Sequence, residues 1–160
     1  MENVTPAVSP ILDRIRRCAA EGGRVGFAVG TFGLIHAGTV RFLKQAAGRC
    51  DRLFVAIVPG DADTVGPDAA AQIARLLRPD ERERILGMTD GVEAAAQVDP
   101  QADLAAWAAA APQGVWFQCQ SENDLAPAVQ DRLQALKASV EVLPGDATCT
   151  TLDVLARLAR

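Results

Sequence analysis

The sequence predicts an α/β fold: a three-layer α/β/α domain built on a mainly parallel five-stranded sheet. Short β-rich runs alternate with helical stretches along the chain, and no internal repeat or low-complexity linker interrupts them. At 160 residues the chain suits one domain, read here as the whole of 1–160, with one sizeable core. Hydrophobic residues make up 49% of it and charges of both signs are spread through it, so an ordered globular fold is expected rather than disorder.

Each element has its own signal. Ser9-Pro10 reads as an N-cap and first helical residue; Ile11, Leu12, Ile15, Cys18 and Ala19 follow as an apolar stripe that Gly22-Gly23 ends. "RVGFAVG" (24–30) reads as a buried strand, a helix is expected over about 38–48, and "RLFVAIV" (52–58) is a second strand. "PGDADTVGPD" is polar and turn-rich, hence a loop, and helices are expected at about 68–77 and 79–90. "VEAAAQVD" reads both ways, since alanine favours helix and its flanks favour strand. "PQADLAAWAAAAP" is a helix between prolines, "GVWFQC" (114–119) a strand, and "DLAPAVQDRLQALKA" a helix with Pro127 in its first turn. "VEVL" (140–143) is the last strand and "TLDVLARLAR" the terminal helix.

Composition excludes several functions. A net charge of -4 with no basic cluster argues against a nucleic-acid or anionic-membrane surface. Cys18, Cys50, Cys119 and Cys149 are scattered without a C-x-x-C pair, and one histidine is too few for a zinc site, so no metal is assigned to side chains and buried, reduced thiols are expected. The opening "MENVTPAVSP" has no basic or apolar leader pattern and no apolar stretch could span a bilayer, which makes the cytoplasm the expected compartment.

In sheets of this kind ligands bind at the carboxyl ends of the strands, near the switch point of strand order. That rule points to the first strand-to-helix turn, "GTFGLIHAGTVRFL" (30–43), which holds the sole histidine. A helix N-terminus offers unpaired backbone N–H groups and partial positive charge, so phosphates bind there with few cationic side chains. Gly30, Gly33 and Gly38 let the backbone approach a ligand, His36 can donate to a phosphate oxygen, and Thr39 lies three residues on, facing the same way if the helix has begun by residue 36.

This stretch resembles the signature of the cytidylyltransferase-like nucleotidyltransferases, roughly G-x-F-D-x-x-H-x-G-H, and within them the heptose-1-phosphate adenylyltransferase domains, with glycerol-3-phosphate cytidylyltransferases next. "GRCDRLFVAIV" resembles the family's second strand, "RPDERERILGMTDGVEAA" its Pro-x-Glu-[Arg/Gln] helix and following strand, and "ATCTTLDVL" its Ser/Thr-rich last helix start. The resemblance implies a Rossmann-like sheet and a reaction without covalent intermediate, in which the acceptor's phosphate attacks the α-phosphate of ATP or CTP and pyrophosphate leaves. It implies magnesium as metal, a small phosphorylated sugar or polyol as acceptor and a homodimer, with neither nucleic acid nor membrane as partner. By resemblance, His36 and Thr39 stand at the catalytic positions. Gly30, Thr31, Phe32 and Gly38 would contact the triphosphate, with Arg82 (or Arg84, one slip away) and Thr150 and Thr151 adding phosphate contacts.

Four positions depart from the pattern: the motif's aspartate is Gly33, its second histidine is Thr39, its lysine falls near Gln118, and its last hydroxyl is Leu152. Loss of a charged donor used in the transition state costs about 10²–10³ in rate. The reading is therefore a nucleotidyltransferase-family protein; the alternative is an impaired descendant acting as a nucleotide- or phosphometabolite-binding or protein-interaction module. An enzyme should recruit cations from new positions, such as Arg41, Lys44, Arg75 or Arg78.

Plainer roles stand beside these. Thr39, Thr150 and Thr151 could be helix-start residues, and Arg82 and Arg84 part of a solvated helix face. Asp61 and Asp63 could bind magnesium or only form a turn, and Trp107 and Trp116 suit the core or a dimer contact better than base stacking.

Overall fold

The computed structural model describes residues 4–121 and 125–160. Among them the chain forms one five-stranded sheet in the order β3-β2-β1-β4-β5, with every neighbouring pair parallel. The strands are β1 (Val25–Gly30), β2 (Arg52–Ile57), β3 (Val92–Gln97), β4 (Val115–Cys119) and β5 (Ser139–Leu143). The helices are α1 (Ser9–Ala20), α2 (Ala37–Ala47), α3 (Asp61–Val65), α4 (Pro67–Leu76), α5 (Pro79–Gly87), α6 (Ala102–Ala110), α7 (Pro127–Ala135) and α8 (Thr151–Leu158). None of the described helices is long and apolar enough to cross a membrane.

Alternation along the strands sends side chains to two cores, which makes the three layers. Phe27, Val29, Phe54 and Trp116 pack with α1, α6 and α7 on one face; Ala28, Val55, Ile57 and Phe117 pack with α2 and α5 on the other. Both tryptophans are core residues. Phe27 lies between them, 5.6 Å from the Trp107 ring and 4.5 Å from the Trp116 ring. The ambiguous alanine run is β3, its Ala94 set opposite Phe54 of β2, so pairing on a buried sheet overrides alanine's helical preference.

Several expectations need correction. Ser9 lies inside α1 and is no cap: a 3₁₀ turn, Pro6–Val8, runs straight into the helix. The anchor is one turn earlier, where the Thr5 N–H and hydroxyl donate to the buried Asp103 carboxylate at 2.9 and 2.6 Å. The polar loop after β2 contains the single turn of α3, bracketed by Gly60 (φ 125°) and Gly66 (φ 88°), which reverse the chain on either side of it. The α5 helix stops at Gly87, short of Asp90. Of the four free cysteines only Cys18 is fully buried; Cys50, Cys119 and Cys149 are half-buried. Desolvation pushes the Cys50 thiol up to about 11. The expected start of α7 at Asp124 lies outside the described residues.

The strand order reverses between β1 and β4, so the crevice at their carboxyl ends is the switch point. Gly30 and Cys119 close those two strands.

Candidate functional site

A cleft opens at that switch point, lined by the 29–34 turn, Thr39, Phe42, Asp61, Val65, Ile73, Gln118, Cys119, Leu125 and Thr151. Its enclosed part is about 60 Å³, room for a few waters.

At one end stands His36, the N-cap of α2. Its Nδ1 accepts the Gly38 N–H at 3.1 Å, which puts the proton of a neutral imidazole on Nε2, 3.3 Å from the Thr151 hydroxyl. The Cys149 thiol lies 3.7 Å from Nδ1. Thr39 completes a reciprocal cap: its Oγ1 accepts the His36 N–H at 3.3 Å and donates to the Leu34 carbonyl at 3.4 Å. The N-termini of α2 and α8 therefore converge, bridged by His36 and Thr151. Gly38 is needed for this contact, because a Cβ there would sit 2.2 Å from the Cys149 carbonyl oxygen.

The α8 end has its own cap. The Thr150 hydroxyl accepts the Asp153 N–H at 3.2 Å, and the Asp153 carboxylate accepts the Thr150 N–H at 3.0 Å and its hydroxyl at 2.8 Å. Those last two bonds hold the Asp153 carboxyl below the usual range. Asp146, held low by the hydroxyl and N–H of Thr148, is a second acid on this rim, with Arg41 at 3.7 Å.

At the other end is a buried ion pair. Arg82, 6% exposed, sets Nη2 at 2.9 Å from Asp61 Oδ2 and donates from Nη1 to the Thr31 carbonyl at 3.2 Å. It is no solvated-face residue; Arg84, its rival by alignment, is exposed. Arg82 lies behind the cleft wall, whereas Asp61 lines the cleft. Phe32, between the two ends, has φ 48°, unusual for a residue with a bulky side chain.

The structure thus gathers Gly30, Thr31, Phe32, Thr39 and Thr151 around one cleft, with His36, Gly38 and Thr150 at its α2–α8 end; Arg82 does not line it. Gln118 reaches the cleft; Leu152 points outward, 47% exposed, and Asp63 is exposed as well. None of the four candidate replacement cations lines the cleft. Arg41 pairs with Asp146, Arg78 faces Asp80 and Glu81 at 3.6 and 3.5 Å, and Lys44 and Arg75 are exposed. Sequence reasoning missed the role of Asp61 as partner of Arg82. The signal was a glycine at the turn's acidic position together with an acid after β2.

Few side-chain donors for a metal line the cleft. Among the described residues Asp61 is the one carboxylate lining the cleft, it pairs with Arg82, and no group of three or more His, Cys, Asp or Glu could hold a metal ion.

No protein-family model matches the chain. It is similar to curated proteins named "Bifunctional protein HldE". The one from Rhodopseudomonas palustris (strain BisA53) is 32% identical over 110 residues, covering 64% of this chain and 20% of that protein. The Gluconacetobacter diazotrophicus protein is 34% identical over 89 residues, 51% of this chain and 16% of its own length. The Paramagnetospirillum magneticum protein is 45% identical over 51 residues, 32% and 10%. The chain thus spans from 10% to 20% of the length of these relatives. Among solved structures, the lipopolysaccharide core biosynthesis protein from Thermoplasma volcanium GSS1 shares the fold with a TM-score of 0.50 at 16% identity, over 76% of this chain and 94% of that one. Switch-point cleft, capped turn and relatives agree, and the chain fits a cytidylyltransferase-like domain.

Proposed function

We propose that this domain binds a nucleoside triphosphate, ATP or CTP, together with a small phosphorylated sugar or polyol, and that it transfers the nucleotidyl group slowly. One observation carries the second half: among the described residues no lysine or arginine side chain lines the cleft, and its one imidazole, that of His36, stands at the end where it accepts the Gly38 N–H and meets Thr151. Nucleotidyl transfer spreads negative charge over the equatorial oxygens of the α-phosphate, and preorganised cations are what lower that barrier. Here the compensation comes from two helix N-termini and the imidazole of His36, while Asp146 and Asp153 oppose it from the rim.

The first half rests on the same convergence of α2 and α8, which offers backbone donors to phosphate without side-chain charge. The base and ribose would lie across the cleft mouth, because the enclosed part is far smaller than a ligand pocket of about 300–1,000 Å³. Magnesium would arrive with the triphosphate, as part of the substrate. The acceptor's phosphate oxygen would attack the α-phosphorus in line, breaking its bond to the bridging oxygen, and pyrophosphate would leave with those electrons.

Calorimetric titration with ATP and with CTP, each with and without magnesium, is the test, followed by pyrophosphate release over a panel of sugar and polyol phosphates. The expected result is nucleotide binding that His36→Ala weakens about tenfold, with turnover at least 10² below a fully equipped site. Absence of binding to either nucleotide overturns the reading. Fast pyrophosphate release overturns its kinetic half.

A further inference from the structure

The proposed nucleotide site leaves one question of geometry open: what holds Phe32 at φ 48°? We infer that Asp61 is a positioning residue for the phosphate turn, acting through Arg82 to aim the Phe32 amide into the cleft. The inference rests on the proposed function for its ligand, though not for its geometry.

A left-handed conformation at a bulky residue persists only where its surroundings impose it. Two constraints bracket Phe32. On one side, Arg82 draws the Thr31 carbonyl backward, behind the cleft wall, at 3.2 Å. That carbonyl belongs to the peptide plane whose nitrogen is Phe32's, so fixing it fixes the rotation that φ of Phe32 measures. No peptide bond in the described residues is cis, and in a trans peptide N–H points opposite to C=O. A carbonyl pulled away from the cleft therefore turns the Phe32 N–H toward it, where an anion would lie.

On the other side, Asp61 and Ile73 press on Gly33. A Cβ at that position would stand 3.0 Å from Asp61 Oδ1 and 3.0 Å from Ile73 Cδ1. Asp61 thus acts twice, with Oδ2 holding Arg82 at 2.9 Å and Oδ1 closing the space beside Gly33. A buried guanidinium needs a paired carboxylate to stay in place. Without Asp61, Arg82 keeps only its bonds to the Thr31 and Leu77 carbonyls, at 3.2 and 3.4 Å, with no carboxylate to neutralise it, and its hold on the Thr31–Phe32 peptide loosens.

The experiment follows backbone amide resonances of the full chain during titration with ATP and magnesium, for the unsubstituted protein, Asp61→Asn and the charge-free pair Asp61→Asn/Arg82→Gln. In the unsubstituted protein the Phe32 amide should be among those that shift most. In both variants that shift should vanish and ATP affinity fall at least tenfold, while the amides of Phe27 and Val55 in the central strands keep their positions. If Asp61→Asn does not fold, the double variant decides. Variants that retain affinity and the Phe32 shift overturn the inference. Should the unsubstituted protein bind neither ATP nor, in the same titration, CTP, the proposed function fails, and amide exchange then decides this inference alone. Faster exchange at Phe32 with unchanged exchange at Phe27 supports it, and equal exchange at Phe32 in all three proteins overturns it.

Discussion

The two flanks of the turn after β1 are held by different kinds of force. Thr31 to Gly33 are fixed from behind by a buried ion pair, Arg82 with Asp61. His36 to Thr39 are fixed by neutral hydrogen bonds in a reciprocal cap, with the imidazole turned to Thr151. Charge survives at this site where it is internally neutralised and serves the backbone. The cleft lining at positions 33, 39 and 118 is glycine, threonine and glutamine. The turn's shape and the charge at its mouth are therefore separable, because different residues supply them.

The sharpest break of that comparison is Arg82→Ala. It removes the buried guanidinium that pairs with Asp61 and bonds the Thr31 and Leu77 carbonyls, and equilibrium unfolding in urea should show a loss of about 3–5 kcal/mol. A loss under 1 kcal/mol would mean that the flank does not depend on the pair. Next is Gly33→Ala, whose new methyl meets Asp61 and Ile73 at 3.0 Å. Overpacking of this kind costs about 1–3 kcal/mol, read in the same unfolding assay. A stabilised variant would show α3 and α4 to be loosely seated on the turn. The smallest effect belongs to Thr39→Val on the opposite flank, where the helix keeps its shape but loses one neutral cap. A loss of about 1 kcal/mol is expected from thermal unfolding. If it equals the Arg82 effect, the two flanks are not held differently.

Much of the fold was legible because it rests on local pattern. The apolar run at 25–30, the glycines around it and the histidine before α2 all report short-range requirements, and the structure places them where those requirements point. What the pattern could not carry were partners far apart in the chain. Asp103 stands within an alanine-rich helix and gives no sign that it anchors Thr5, 98 residues away. The turn of α3 is hidden because its residues read as a polar loop, and only Gly60 and Gly66 mark its ends. Ser9 looked like a cap because Ser-Pro is a common helix start, yet the chain upstream was already turning. At the site, residue types told which positions could touch phosphate. Which arginine is buried, and what neutralises it, was decided by how α3 and α5 fold back on the turn.

Gly38 carries a wider lesson. Its missing side chain makes room for the carbonyl of Cys149, 2.2 Å from where a Cβ would be, so this motif glycine answers to a neighbouring loop as well as to any anion. A side chain there would be excluded whether or not the turn binds an anion. A glycine in such a turn can thus report the packing of two helix starts rather than the presence of a ligand.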